Sequence, residues 1–204
     1  MANTDLTICN AAVIPLGERP FSAFNETSAG RICENAYSLL RDSILGTDSW
    51  NFCKAKKELT RDSAAPPAHW NYSFQLPPDR LSRPFKLYPS GDVGAPVLDQ
   101  FRLFGNRVYA NETRVWCDYS QIKDEAEWPA YFVRFMILAV RAEVAYAITD
   151  QQNVADHWHQ IAYGTPQEEG RGGAFNAALT TDAQSEPNGG IEETEYDLIA
   201  ARYS

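Results

Sequence analysis

The sequence predicts an α+β, mainly helical fold: a helical bundle with a small antiparallel β insert between its second and third helices, and an extended C-terminal tail. Three observations carry this expectation. Apolar residues recur at helical spacing toward both ends of the 204-residue chain, a proline-rich middle stretch holds only short extended runs, and the last twenty residues are polar and acidic. The expected organisation is helices 1 and 2 in residues 1–49, the β-rich insert in 50–125, helices 3 and 4 in 126–184, and the tail in 185–204. A chain of this length can bury one substantial apolar core.

The first helix follows from Leu6, Cys9, Val13 and Leu16 at one-face spacing, with Gly17 where a C-terminal cap belongs. Ser28 is the expected N-cap of the second helix, whose apolar face reads Ile32, Ala36, Leu39, Leu40 and Ile44 before Gly46. Beyond it, Trp50 to Ala55 is apolar at alternate positions, and prolines at 66, 67, 77, 78, 84, 89 and 96 exclude long helices. Short strands fit instead, over 72–76, 85–88, 100–104, 107–109 and 114–119, with Gly105-Asn106 as a hairpin turn. A single small antiparallel sheet is expected.

Helix 3 should run from about Pro129 to Ile148, the proline being tolerated at a first turn. Phe132, Phe135, Met136, Leu138, Ala139, Ala142 and Tyr146 make it apolar nearly all the way round, which places it at the centre of the bundle. On that reading Leu138→Ala costs about 2 to 5 kcal/mol. Arg134, Arg141 and Glu143 interrupt the run and argue for a buried helix over a membrane span, so no membrane anchor is expected. Val154, Trp158, Ile161 and Ala162 mark helix 4, the glycines from 164 to 173 interrupt it, and Phe175 to Leu179 resume a helical face.

The net charge of −9 argues against a protein that grips nucleic acid, since phosphate neutralisation needs clustered cations. The start of the chain lacks the basic, then apolar, pattern of a secretion signal, so a cytoplasmic origin is expected. Cys9, Cys33, Cys53 and Cys117 are widely spaced and read as buried reduced thiols. His157 and His159, two apart on a helix, face different ways, and His69 stands in a loop, so no metal site is expected. Gly170-Arg171-Gly172-Gly173 lacks the context of a phosphate loop, no serine sits in a nucleophile elbow, and no cofactor is implied. Glu168-Glu169 and Glu192-Glu193 read as solvated surface, while Asp118 and Asp124 flank a strand end and are the remaining acids for chemistry. The core-forming residues are expected to be Trp50, Phe52, Trp116, Trp128, Phe135, Leu138 and Trp158.

Several segments, in order, resemble a known family. They are Ile8-Cys9-Asn10-Ala11-Ala12 leading to Leu16-Gly17-Glu18-Arg19-Pro20; Ala36-Tyr37 through Arg41-Asp42 to Leu45, then Trp50-Asn51-Phe52-Cys53-Lys54-Ala55-Lys56; and Phe74-Gln75-Leu76-Pro77-Pro78-Asp79-Arg80-Leu81. They continue with Phe104 to Tyr109, Val115 to Tyr119, Trp128-Pro129 with Phe132 through Ala147, and Ala178-Leu179 with Asp182-Ala183-Gln184. Each is short, but together they span about residues 8 to 184 and resemble the tail tubular protein A family, the head-to-tail adaptors, or gatekeepers, of tailed bacteriophages.

The resemblance implies a structural virion protein, a helical bundle with a β insert, without catalytic residues or cofactor. It implies a twelve-fold homo-oligomeric ring, assembled in the host bacterial cytoplasm, in the neck of the particle. The partners implied are the portal protein on one side and a tail nozzle, tail-tube or stopper protein on the other. Double-stranded DNA would pass through during ejection without sequence-specific binding. Tyr196, Leu198, Ile199 and Arg202, near the end of the acidic tail, resemble the family's C-terminal cluster and are the expected docking contacts. The stretch from Gly164 to Gly173 departs from the family, in which the last helix is long. Other readings of the residues are a different neck protein, such as a stopper or tail terminator, and a small binding module or hydrolase using Asp118 or exposed aromatics.

Overall fold

A computed structural model of the chain describes residues 3–64, 66 and 69–185. Among these residues the fold is α+β, with five α-helices and seven strands arranged as two antiparallel sheets. The β content exceeds the single small sheet expected from the sequence.

Helix α1 (Asp5–Val13) opens on Thr4, whose hydroxyl accepts from the Thr7 amide while Thr7 Oγ1 accepts from the Thr4 amide, a reciprocal cap. It continues into a 3-10 turn and closes at Gly17, with φ +94°. Asn10 then ties the following segment down: its side-chain amide donates to the Phe21 carbonyl at 2.8 Å and its oxygen accepts from the Phe21 amide at 2.9 Å. Helix α2 (Ser28–Thr47) is capped by Thr27, one residue before the expected Ser28, through a 2.9 Å bond from the Gly30 amide. Its buried face is Ala29, Gly30, Cys33, Tyr37, Ile44 and Leu45, whereas Leu39 is 76% exposed. Ile44 is buried and Ile32, Ala36 and Leu40 pack on the core as expected, so only Leu39 leaves the stripe, and small and polar-tipped residues such as Gly30 and Tyr37 add to it.

Helix α3 (Ala130–Thr149) packs against α1, α2, α4 (Gln152–Tyr163) and α5 (Gly173–Ala183). Arg141, which broke the apolar run in the sequence, is buried and donates to the carbonyls of Ala12 at 3.0 Å and Ala11 at 2.8 Å. A cation thus satisfies the last turn of α1, where carbonyls lack helical partners and the helix dipole is negative. Its guanidinium lies 4.3 Å from the Trp158 ring centroid. Between α4 and α5 the chain makes a compact corner: Gly172 donates to the Tyr163 carbonyl at 2.9 Å, and Glu168 caps Thr165. Gly173 is required there, since its φ is +55° and a Cβ would come within 2.6 Å of the Ile161 carbonyl oxygen.

All seven strands lie between α2 and α3 in sequence. Strand β1 (Lys54–Glu58) passes through the buried Leu59 into β2 (Thr60–Arg61), so one extended segment serves both sheets. The three-stranded sheet runs β1-β7-β4, with β4 at Lys86–Tyr88 and β7 at Trp116–Ser120. The other runs β2-β3-β6-β5, with β3 at Tyr72–Gln75, β5 at Phe101–Phe104 and β6 at Arg107–Ala110. The Gly105-Asn106 hairpin forms as expected, pairing Phe104 with Arg107. Phe74, Leu87, Val108, Ala110, Cys117 and Tyr119 fill one cluster between the two sheets.

The second and larger cluster lies among the helices and is largely aromatic, with Trp50 and Phe132 at its centre. Trp50, Trp128 and Phe135 are buried there, and Phe52 packs on it half-buried. Three other expected core residues are half-buried and lie outside that cluster. Leu138 is half-buried and outside both clusters, since α3 turns it away from the side that meets its neighbours. Trp158 is half-buried beneath Arg141 on α4. Trp116 is half-buried on the outer face of β7, because strand alternation sends Cys117 inward instead.

Candidate functional site

The outer face of the β1-β7-β4 sheet is built by strand alternation. Since Cys117 and Tyr119 point into the sandwich, Trp116 and Asp118 must point away from it. Register then fixes their neighbours: Asp118 stands between Lys56 on β1 and Lys86 on β4, and Trp116 stands between Glu58 and Tyr88. A row of lysine, carboxylate and lysine therefore lies beside a row containing two aromatic rings.

Lys56 Nζ is 3.7 Å from Asp118 Oδ1 and 4.2 Å from the Tyr88 ring centroid. Its ammonium is held by charge and ring together. At 3.7 Å the contact with Asp118 is an ion pair and not a hydrogen bond, and Asp118 Oδ1 is buried without a hydrogen-bond partner among the described residues. Burial, and then the Asp118 carboxylate, raise the Tyr88 phenol above its ordinary range. At the edge of the face, Arg114 donates to both oxygens of Glu58 at 2.6 and 2.9 Å, and this pairing lowers the Glu58 carboxyl. Lys54, Lys56, Lys86, Phe85, Tyr88 and Asp118 line an open cleft of about 560 Å³ on this face. An adjoining hollow of about 470 Å³ is lined by Phe52, Lys54, Glu127, Tyr131 and Ser185 among others.

Charge is segregated along the chain. Residues 54–120 carry ten basic and seven acidic side chains, while the rest carry eight basic and twenty acidic ones. The acidity that argued against a polyanion site thus belongs to the helical parts and tail, and the cleft lies in the one basic stretch. Three lysines spread over two strands, β1 and β4, far apart in sequence, gave no clustered signal to read.

A second constellation was also invisible in the sequence. Asp182, near the end of α5, is 3% exposed and accepts from the Asn51 amide at 2.6 Å and from the Tyr131 hydroxyl at 2.5 Å. The Asn51 side-chain amide donates to the Asp182 carbonyl at 2.8 Å. One carboxylate therefore fastens α5 to the Trp50-Asn51-Phe52 turn and to α3.

Of the candidate acids, Asp118 lies in the cleft between lysines, with no second carboxylate lining it. Asp124 precedes a 3-10 turn, and Glu168 is a cap for Thr165. His157 packs on Trp158 and His159 on Tyr163. Among the described residues no group of His, Cys, Asp or Glu could hold a metal ion, and no helix is long and apolar enough to cross a membrane. The four cysteines are buried and unpaired by disulfides. Burial raises the Cys53 and Cys117 thiols to about 12 each, so both are protonated and unreactive at neutral pH. A hydrogen bond with Cys33, with burial, likewise raises Cys9. Tyr196, Leu198, Ile199 and Arg202 lie outside the described residues. No protein-family model matches the chain, and no curated protein is detectably similar to it.

Proposed function

We propose that this chain is a structural head-to-tail adaptor, a subunit of a ring seated between the portal and the tail of a phage particle and part of its DNA channel. On this reading α1 to α5 form a helical bundle and the strands are its β insert. The chain carries no catalytic residue and takes no cofactor.

The observation that carries the proposal is where the family-like residues fall. Asn10 locks the first helix to Phe21 after the Leu16-Gly17-Glu18-Arg19-Pro20 turn. Trp50 is fully buried, and its indole N–H donates to the Ile44 carbonyl at 3.0 Å. Asn51 and Asp182, from two of the resembling segments 131 positions apart, bond directly to each other. Segments that carry the resemblance thus meet in the folded chain, which supports the reading. The acidic excess on the helical parts also suits a conduit, because a weakly repulsive wall lets DNA slide.

The chain is expected to remain a monomer or small oligomer alone and to sediment with portal rings from its own particle, twelve copies per ring by native mass spectrometry. Docking is assigned to the C-terminal cluster Tyr196, Leu198, Ile199 and Arg202, so shortening the chain at Pro187 should abolish co-sedimentation. A full chain that stays unbound at saturating portal contradicts the proposal. Normal joining by the shortened chain contradicts the docking assignment alone.

A further inference from the structure

The lysine cleft has no role in the adaptor reading, yet it is built: two lysines flank one carboxylate in register, and an aromatic ring supports one of them. Asp118 pairs with Lys56, while Lys86 has no ion pair among the described residues. The cleft as a whole is cationic and calls for an anionic occupant.

We infer that the acidic stretch following Ser185 in the same copy of the chain, through Glu186, Glu192, Glu193 and Glu195, lies in this cleft. Position is the first argument. Ser185 and Lys54 line one hollow, and Lys54 also lines the cleft, so the stretch starts beside its site. Reach is the second. The seven residues from Ser185 to Glu192 span up to about 24 Å when extended, several times the roughly 4.8 Å between neighbouring strands, which is enough to cross three strands. Charge is the third. Residues 186–197 hold five acidic side chains and no basic one.

A free polyanion such as duplex DNA offers the same charge, but a tethered segment competes at an effective concentration on the order of millimolar. The tether therefore favours the chain's own glutamates. Bound in this way, the acidic stretch would fix the root of the tail and leave the Tyr196 to Arg202 cluster to reach a partner. The inference does not rest on the adaptor reading, since it is tested on the isolated chain.

The test is zero-length carbodiimide crosslinking of the full chain with peptide mapping, using a mixture of isotopically heavy and light copies. Links from Lys56 or Lys86 to Glu192, Glu193 or Glu195 are expected within one copy, and they should fade at high salt. Acetylation footprinting provides the second readout. In a full chain carrying Glu192→Gln, Glu193→Gln and Glu195→Gln, Lys56 and Lys86 should react several-fold faster than in the parent, while Lys57, which register places opposite Cys117 and not Asp118, should not change. Absence of the links with unchanged lysine reactivity overturns the inference. Links formed only between copies overturn it in favour of a neighbour's segment, and lysines protected by added duplex DNA but indifferent to the glutamate changes overturn it in favour of nucleic acid.

Discussion

Phe132→Ala should destabilise the chain by about 3 to 5 kcal/mol, the range for deleting a large buried aromatic side chain. Phe132 is fully buried, with its ring centroid 4.8 Å from Trp50, 4.8 Å from Phe52 and 4.9 Å from Trp128. Two of these contacts are edge-on, the arrangement ring quadrupoles favour, so truncation loses ring interactions as well as buried area. The cavity would open among rigid rings joining α3 to the Trp50 turn, where little can collapse into it. Domains of this size are stable by about 5 to 15 kcal/mol, so a loss of this size is a large fraction of the margin. Urea denaturation with unchanged slope would measure it. Leu138→Ala provides the contrast: half-buried and outside the cluster, it should cost about 1 kcal/mol and not the 2 to 5 of a core leucine. Equal losses at the two positions would show that the aromatic cluster is not the centre of the fold.

Asp182→Ala should cost about 3 kcal/mol, by a different mechanism. Hydrogen bonds to a charged acceptor contribute about 1.5 to 3 kcal/mol each, and the change leaves the Asn51 amide and Tyr131 hydroxyl without their acceptor. Because Asp182 ties α5 to residues 51 and 131, hydrogen exchange should quicken in α5 before the rest of the chain. Tyr131 supplies a readout that a general loss of packing would not reproduce. Burial, and then the bond to Asp182, hold its phenol well above the ordinary value of 10.0. A group whose folded pKa is raised contributes its full stability below the unfolded pKa and loses it as pH climbs through the folded one. The Asp182–Tyr131 contribution should therefore be complete at neutral pH and fall away only in strong alkali. In Asp182→Asn the Tyr131 phenol should titrate at lower pH than in the parent while remaining above 10, because burial persists. An unmoved titration would remove Asp182 from the account of this joint.

What could be read in the sequence was local and periodic. Helix α3, the Gly17 end of the first helical segment and the Gly105-Asn106 hairpin each follow from residues adjacent in the chain. No apolar alternation marks strands β1 and β2, because Lys54–Glu58 and Thr60–Arg61 are nearly all polar and only Leu59 between them is buried. On α2 only Leu39 leaves the expected face, being apolar but exposed, while Gly30 and Tyr37 are buried without looking like core. Trp116 and Trp158 show the same limit, since an aromatic ring fits a half-buried surface, for Trp158 beneath Arg141, as well as a core. The lysine cleft and the Asp182 joint were beyond such reading. Each depends on groups dozens of positions apart, brought together by strand register or helix packing.

The most direct test of the adaptor proposal is an electron cryomicroscopy map of the particle's neck, reconstructed without imposing rotational symmetry. The proposal predicts a ring of twelve copies beneath the portal into which α1 to α5 and both sheets fit as one unit, with density for the chain's C-terminal residues running to the portal. A neck ring whose density cannot hold this fold, or a particle in which the chain sits elsewhere, would contradict it.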